Sequence, residues 1–435
     1  MARILITSAR QAGFVLPLTE IARALVAAGH DVHFLSGEAF RGRIEAAGAH
    51  YVRLPYDEGT PVPGRAPGSG VQGIAKLLES LFLDPIEIDF RTVRGLVDAL
   101  GIDLVITEPL FVGSSILGLL PRAERPAVLS VGLFPLMLPS PDAPPYGLAL
   151  PPIEPPLNEL RNVLLDAAAR AVLAPVTRRF RQEVQRLTGV RLKGHLFELA
   201  LEVDAYAQLT VPQFEYPRRA LPPKVRFVGP LPAPAFGELP AWWDYSDRRP
   251  IVAVTQGTYA NEDFTELVVP AIRALEDSGL LVVVTTGGPP PAAVEEAYGG
   301  PLPENVRVER FLPYDHLLAS ASVMVTNGGY GSVHAALRHG LPLVVSGTSE
   351  DKGEVNARVG WSGAGIDLKQ QRPRPEAVRE AVDAVLENGR YRAAARRLGT
   401  AIAGTDALRD VLAVADRLVA DREHVVARPW SLSAV

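Results

Sequence analysis

The run Asn327-Gly328-Gly329-Tyr330-Gly331-Ser332 follows the apolar stretch ending in Val325-Thr326 and precedes the helix-forming His334-Ala335-Ala336-Leu337. Read as strand, glycine turn and helix, it offers an anion site. Glycine lets the backbone approach a ligand closely, and a helix start presents unpaired N–H groups and the positive end of its dipole. Ser332 adds a hydroxyl. Other segments at the ends of apolar runs carry complementary groups. Gln256-Gly257-Thr258 follows Ile251 to Thr255 and offers N–H groups and a hydroxyl to a diphosphate. Phe311-Leu312-Pro313-Tyr314 sets an aromatic ring near a fixed proline, a combination that holds a flat base. Glu350-Asp351-Lys352 places two carboxylates where hydroxyls of a sugar could bind. Each has an ordinary reading as well: a tight connection, a core phenylalanine, a solvated helix start. Their order discriminates, because in open α/β sheets ligands lie outside the carboxyl ends of the strands, where such loops converge.

The elements that position these residues alternate between strand and helix in both halves of the chain. Arg3 to Thr7 reads as a strand, Leu18 to Ala28 as a helix closed by Gly29, and Val32 to Ser36 as the next strand. Strands are predicted at Leu104 to Thr107, Ala127 to Val131 and Ala205 to Leu209, with a long helix from about Leu157 to Thr188. The second half restarts with strands at Ile251 to Thr255, Leu281 to Thr285, Val306 to Arg310, Val323 to Thr326 and Leu343 to Val345. Helices are predicted over Phe264 to Ser278, Pro375 to Asn388, Tyr391 to Leu398 and Ala407 to His424, the last capped by Thr405 or Asp406. The pattern predicts an α/β protein of two doubly wound parallel sheets. At 435 residues the chain exceeds one ordinary core. The proline-rich stretch 229–250 reads as a linker between a first domain, 1–228, and a second, 251–413. Residues 414–435, with Trp430, form a helix and tail expected to pack back on the first domain. Asp57 to Gly73 and Phe134 to Pro156 read as irregular segments, either binding loops or connections.

Composition removes several classes. Basic and acidic residues number 44 and 49 without long basic runs, so nucleic acid is not an expected partner. The absence of cysteine excludes disulfides and thiolate metal sites and suits the cytoplasm. The apolar part of Met1 to Thr7 is too short for a signal peptide and reads as a strand. Leu110 to Leu120 stops short of the ~20 residues a membrane span needs. No cluster of carboxylates or histidines suits a divalent ion, so no metal is expected, and a homodimer is left open.

Taken together, the second half resembles the donor-binding domain of the family 1 glycosyltransferases, the UDP-glycosyltransferase-like enzymes of GT-B fold that include bacterial macrolide and natural-product transferases. The most specific stretch runs from Phe311 to Gly365 and includes Gly340-Leu341-Pro342-Leu343-Val344-Val345. The resemblance implies two Rossmann-like domains facing a cleft, a nucleotide-diphosphate sugar as donor substrate, no cofactor, inversion at the sugar, and closure on donor binding. It places Gly257 and Thr258 beside the diphosphate, Phe311 by the uracil, and the Leu312 backbone at the base edge. Gly329, Gly331 and Ser332 match the phosphate loop, and Asp351, preceded by Glu350, matches the acid on the sugar hydroxyls. Asn327 stands where many relatives have a phosphate-binding histidine, and Lys352 where many have a glutamine on the sugar.

In that family the base is usually a histidine within Gly-His-x-x-Pro after the first strand. The matching segment is Gly13-Phe14-Val15-Leu16-Pro17, and Phe14 accepts no proton. His30 and His33 lie beyond the first helix and read as structural. Glu108 follows Asp103 to Thr107 and matches the aspartate that supports the histidine in relatives. Its longer arm makes it the candidate base if an apolar pocket raises its pKa; the other reading is a loop carboxylate on a helix N-terminus or water. Three expectations follow. The chain is an inverting transferase acting on a small hydrophobic acceptor such as a phenol, polyketide or macrolide, with Glu108 as base or an acceptor acidic enough to need little help. Alternatively it is a non-catalytic nucleotide-sugar-binding partner, or it hydrolyses or epimerises the nucleotide sugar.

Overall fold

A computed structural model describes residues 1–56, 79–194, 196–233, 238–243, 247–258 and 261–426. The loop expected at Asp57 to Gly73, parts of the linker, and the tail with Trp430 lie outside the described residues.

The first sheet holds β1 (Arg3–Thr7), β2 (Asp31–Ser36), β3 (His50–Arg53), β4 (Leu104–Thr107), β5 (Ala127–Gly132), β6 (Ala205–Gln208) and β7 (Val225–Phe227), in the order β3-β2-β1-β4-β5-β6-β7. All neighbours pair in parallel. Parallel strands are covered on both faces, which is why β1, β4 and β5 read as unbroken apolar runs rather than alternating ones. Ile4 lies opposite both Val32 and Leu104, so residues of one parity stack into one layer. On one face Leu5, Val105 and Val128 pack under the helix Ile86–Leu100 and under Leu173, Val176, Phe180 and Val184 of the helix Leu157–Thr188. On the other, Ile4, Ile6, Ile106 and Leu129 are covered by the helix Ala12–Ala27 and by the C-terminal helix Ala407–Val426.

The second sheet holds β8 (Ile251–Thr255), β9 (Leu281–Thr285), β10 (Val306–Glu309), β11 (Ala321–Thr326), β12 (Leu343–Val345) and β13 (Gly365–Asp367), in the order β10-β9-β8-β11-β12-β13, again parallel. Strand order reverses between β1 and β4 in the first sheet and between β8 and β11 in the second. At such switch points the loops on either side run apart and leave a crevice. Ser8 and Glu108 leave one crevice edge; Gln256 and Asn327 leave the other.

The first helix begins at Ala12, not at Leu18, so Gly13, Phe14 and Pro17 lie within it; Pro17 gives up one rung of hydrogen bonding there. Asp406, rather than Thr405, caps the C-terminal helix, accepting from Arg409 N at 3.1 Å, while the Thr405 hydroxyl donates to Ile402 O. This helix packs on the first sheet through Ala407, Val411, Val414 and Ala415, ahead of the boundary at 414 drawn from the sequence. His30 after the first helix pairs with Asp416 of the C-terminal helix at 3.2 Å, and His33 faces Asp31 of its own strand at 3.4 Å and the His50 ring of β3 at 5.0 Å, so both histidines have structural partners. No helix among the described residues is long and apolar enough to cross a membrane.

Because Val411 is wholly buried between the C-terminal helix and the first sheet, Val411→Ala should cost about 1–3 kcal/mol through lost apolar contact and a residual cavity. Thermal melts of the two proteins should show the loss as a lowered midpoint.

Candidate active site

The donor side is built from turns after β8, β9, β10, β11 and β12. Gly257 has φ +77° and its N–H bonds the Thr255 hydroxyl at 3.1 Å, which folds the chain back directly after β8. The next turn leans on it: a Cβ on Gly287 would lie 2.3 Å from Gly257 O, so backbone meets backbone there. Thr258 is exposed at this edge. Phe311 leaves 40% of its surface exposed in the loop after β10, over a buried Leu312. Tyr314 from the same loop hydrogen-bonds the Ser332 side chain, tying the aromatic loop to the glycine turn.

The glycine turn opens the helix Tyr330–Arg338, with Gly329 as its N-cap and Gly331 and Ser332 in its first turn. A Cβ on Gly331 would meet nothing within 4 Å, so this face of the helix start is open. Gly328 has φ +92°, and a side chain there would run into the Asn356 amide oxygen at 1.8 Å. Asn327 does not point its amide outward. Its Nδ2 donates to Gln256 O at 2.5 Å and its Oδ1 accepts from Gly329 N at 3.3 Å. It therefore clamps the β8 and β11 turns to one another. Asn356, which the sequence reading passed over, supports the clamp from below, donating to Gly347 O at 3.0 Å.

After β12, Glu350 adopts φ +56°, a left-handed conformation uncommon outside glycine, and its carboxylate ion-pairs with Lys352. Asp351 sits at the N-cap of the helix Lys352–Ser362 without capping it through its side chain. Burial raises its carboxyl to about 6; the Lys352 charge works against that rise and Glu350 adds to it. The two acids thus differ in setting: Glu350 is ion-paired with Lys352, and Asp351 is raised mainly by burial.

On the acceptor side, Glu108 is fully buried where β4 leaves the sheet. Its Oε2 accepts from Leu110 N at 2.6 Å and its Oε1 from Ala9 N at 3.3 Å, so it bridges the loops on the two sides of the switch point. Burial raises its pKa to about 7 against the pull of those N–H groups and that of Phe111. Phe14 is half-buried in the first turn of its helix and meets Phe134 edge-on at 6.1 Å. The aromatic contacts continue from Phe134 to Tyr146 at 6.3 Å and from Tyr146 to Phe197 at 6.4 Å. Asp89 is a further acid that sequence reasoning missed. It is buried beneath Gly113, takes a hydrogen bond from Tyr56, and is raised to about 7 by burial. Its position mid-pattern in the helix Ile86–Leu100 carries no motif.

Hydrogen bonds and one ionic hub join the two sides. Gln208 Nε2 donates to Tyr330 Oη at 2.9 Å, so the glycine turn is fastened to the end of β6. His334 Nδ1 lies 2.8 Å from Tyr330 O and therefore donates, leaving Nε2 to accept from the Thr210 hydroxyl at 2.6 Å. Burial lowers this imidazole to about 4 and keeps it neutral. Arg358, almost fully buried, donates to Glu215 at 2.6 Å and to Glu354 at 2.9 Å, with its guanidinium 4.0 Å from the centre of the Tyr216 ring. Glu354 also accepts from Gly147 N and Ala149 N, each at 2.8 Å, and Glu215 from Leu136 N at 3.0 Å. The loop from Phe134 to Pro156 is thereby held against the helix that starts beside Asp351.

This arrangement has known counterparts. Residues 292–415 match the family described as erythromycin biosynthesis protein CIII-like, C-terminal domain. Over 434 residues the chain is 39% identical to 4'-demethylrebeccamycin synthase of Lentzea aerocolonigenes, covering 96% of this chain and 100% of that protein. The chain belongs to the family 1 natural-product glycosyltransferases. This glycosyltransferase is also 32% identical to UDP-glycosyltransferase 2 of Phaeomoniella chlamydospora, over 94% of each chain. Its fold is GT-B: it superposes on the calicheamicin glycosyltransferase CalG4 with a TM-score of 0.70 at 19% identity, covering 97% of this chain and 98% of that one. The glycosyltransferase VinC in complex with DTDP gives 0.66 at 20% identity, over 96% and 100%.

The ionic hub generates a pH-dependent prediction. Burial alone would raise Glu215, yet the Arg358 and Arg218 charges hold it below its ordinary 4.5. The pair therefore contributes stability above about pH 4.5 and loses it as pH falls through the lowered value. Arg358→Met leaves Glu215 with Arg218 alone and takes the cation from Glu354, and should cost roughly 3 kcal/mol at pH 7. With one of its two arginines gone Glu215 should titrate higher than in the wild type, so the variant's deficit should shrink as pH falls from 7 toward 5. Melting curves across that range read both effects.

Proposed function

We propose that this glycosyltransferase moves a sugar from a UDP- or TDP-sugar to a small hydrophobic acceptor with inversion, using Glu108 as the base where relatives use histidine. The observation that carries the proposal is the Glu108 carboxyl. It is buried at the switch point, held by two backbone N–H groups, and poised near neutrality. In the reaction the acceptor hydroxyl gives its proton to Glu108 as its oxygen bonds to the anomeric carbon. The bond from that carbon to the diphosphate oxygen breaks on the opposite face. The leaving charge falls to the Gly329, Gly331 and Ser332 end of the helix Tyr330–Arg338, with Gly257 and Thr258 alongside, so no metal has a part in the proposal. Phe311 stacks on the base, the Leu312 backbone meets its edge, and Asp351 takes the sugar hydroxyls. Likeness to a UDP-glycosyltransferase and to a glycosyltransferase solved with DTDP supports the nucleotide class. The aromatic run Phe14, Phe134 and Tyr146 supports a hydrophobic acceptor. A cysteine-free chain with no membrane-crossing helix among its described residues suits a cytoplasmic enzyme.

Glu108→Gln should lower kcat by at least about 10²-fold while calorimetry shows unchanged affinity for UDP and TDP. The base works unprotonated, so wild-type kcat/KM should fall as pH drops below about 7, and Phe14→His should restore rate to Glu108→Gln if position 14 faces the same proton. An unchanged rate in Glu108→Gln would remove Glu108 from the mechanism and favour an acceptor that ionises without help.

Asp351→Asn should raise KM for the nucleotide sugar about tenfold or more and leave the Kd of the bare nucleotide unchanged, because the carboxylate meets only the sugar. Competition titrations with nucleotide and nucleotide sugar separate the two.

A further inference from the structure

Gln208 ends β6, fully buried, and its side-chain amide is shared between the two sides of the cleft. Nε2 donates to Phe134 O at 2.8 Å and to Tyr330 Oη at 2.9 Å, with Gly132 O a longer 3.4 Å away. A carbonyl only accepts, so the nitrogen must face Phe134, and the two N–H groups of the amide are spent on these partners. Phe134 carries the ring that meets Phe14 and Tyr146, and Tyr330 is the first residue of the helix whose start holds Gly329, Gly331 and Ser332. One amide thus touches both the acceptor-side aromatic run and the glycine turn.

The surrounding chain leaves this amide little room to turn. A Cβ on Gly132 would lie 2.3 Å from Gln208 Oε1 and 2.8 Å from Tyr206 Oη, so a side chain there would push the amide out of place. A second grip lies one helical turn on. The Thr210 hydroxyl donates to His334 Nε2 at 2.6 Å, and the centre of the His334 ring stands 4.3 Å from that of Tyr330 and 5.0 Å from that of Phe214. Tyr330 and His334 share one face of their helix, so the segment leaving β6 holds that helix against rotation as well as translation. A shift of the glycine turn is therefore passed to Gln208, and through it to the Phe134 carbonyl.

We propose that Gln208 and Tyr330 are positioning residues for the transfer: they tie the placement of the aromatic run to occupancy of the glycine turn, so that a bound nucleotide stiffens the acceptor side. The proposal rests on the reading of that turn as the diphosphate site. Neither residue gives or takes the transferred proton. A diphosphate on the N–H groups of the turn limits the motion of Tyr330, and the bond to Gln208 carries that limit to Phe134. The coupling is reciprocal, since a molecule that binds better to the ordered Phe134 tightens the nucleotide by the same factor.

Amide hydrogen exchange of the full-length protein, read by mass spectrometry with and without saturating UDP or TDP, tests this without an acceptor. In the wild type the nucleotide should slow exchange at 327–332 and, by about fivefold or more, at 132–138. Tyr330→Phe keeps the ring and loses the hydroxyl. It should retain the slowing at 327–332 and cut that at 132–138 to less than about twofold. Gln208→Met, similar in length but without N–H groups, should do the same, and far-UV circular dichroism of both variants should match the wild type. A merely structural role would quicken exchange at 132–138 with and without nucleotide alike and leave the effect of the nucleotide intact, which would overturn the inference. Slowing confined to the glycine turn in the wild type, or slowing at 132–138 that survives both substitutions, would overturn it as well. No slowing at either segment would overturn the nucleotide reading itself, and the inference with it.

Discussion

Arg358 is the cation on which the relation of the two sheets depends. It is buried, so the structure must supply carboxylates to it with good geometry or bear the cost of an unpaired charge in a poorly polarisable interior. One carboxylate, Glu215, comes from the stretch that follows β6 of the first sheet; the other, Glu354, shares its own helix. Each acid also accepts from backbone N–H groups of the loop from Phe134 to Pro156, and Glu215 from Tyr216 N as well. A hydrophobic contact in the same place would hold the domains together as well, but it would tolerate sliding. Fixed bond directions at Arg358 leave little freedom in where that loop stands relative to Asp351, and the cleft inherits its geometry from this demand.

The same low polarisability sets the chemistry at both switch points. Glu108, Asp89 and Asp351 are all raised by burial, and His334 is lowered by it. The sign follows the charge type, because burial penalises whichever form is ionised. What distinguishes the groups is the compensation each receives. Asp351 has Lys352 close by, and Glu108 has only backbone donors. His334 is left neutral, with one nitrogen donating and the other accepting, which makes it a connector between domains and unsuited to proton transfer.

Most strands legible in the sequence are central ones whose two faces are covered and which present an apolar run; the edge strand β10 is legible instead from the alternation of Val306 and Val308. β3, β7 and β13 lie at sheet edges with exposed or half-exposed residues, and their sequences offered no comparable signal. The first helix was read six residues short because Gly13 and Pro17 signal irregular backbone, a signal that packing of Val15 and Leu18 overrides. Among site residues the turns themselves were legible, since a glycine turn at the end of an apolar run follows from the chain. Their partners were not. Asn327 meets Gln256 across 71 residues, and Gln208 meets Tyr330 across 122. Such pairs exist only once β8 lies beside β11 and the two domains abut, so the bond from the Asn327 amide to Gln256 O could not be read from the chain.

On the proposed reading, a phenylalanine at position 14 in place of a histidine acts on the acceptor side in two ways. It removes a proton acceptor, and it adds an apolar ring on Phe134, which helps to keep water from the neighbourhood of β1 and β4. Water would stabilise an ionised Glu108; its exclusion holds the carboxyl near neutrality, where it can both take a proton and release it. The aromatic contacts run onward through Phe134 to Tyr146, whose phenol is itself shifted upward by burial and by the charges of Asp351 and Glu354. One end of this aromatic wall thus begins on the helix that follows β1, and the other feels the charge of Asp351. An acceptor lying along it would span that interval, with its reactive hydroxyl oriented by the wall more than by hydrogen bonds. Loss of the imidazole and growth of the aromatic wall are, on this reading, one change: the chain trades a positioned base for a drier cleft in which a fixed carboxyl becomes basic enough to serve.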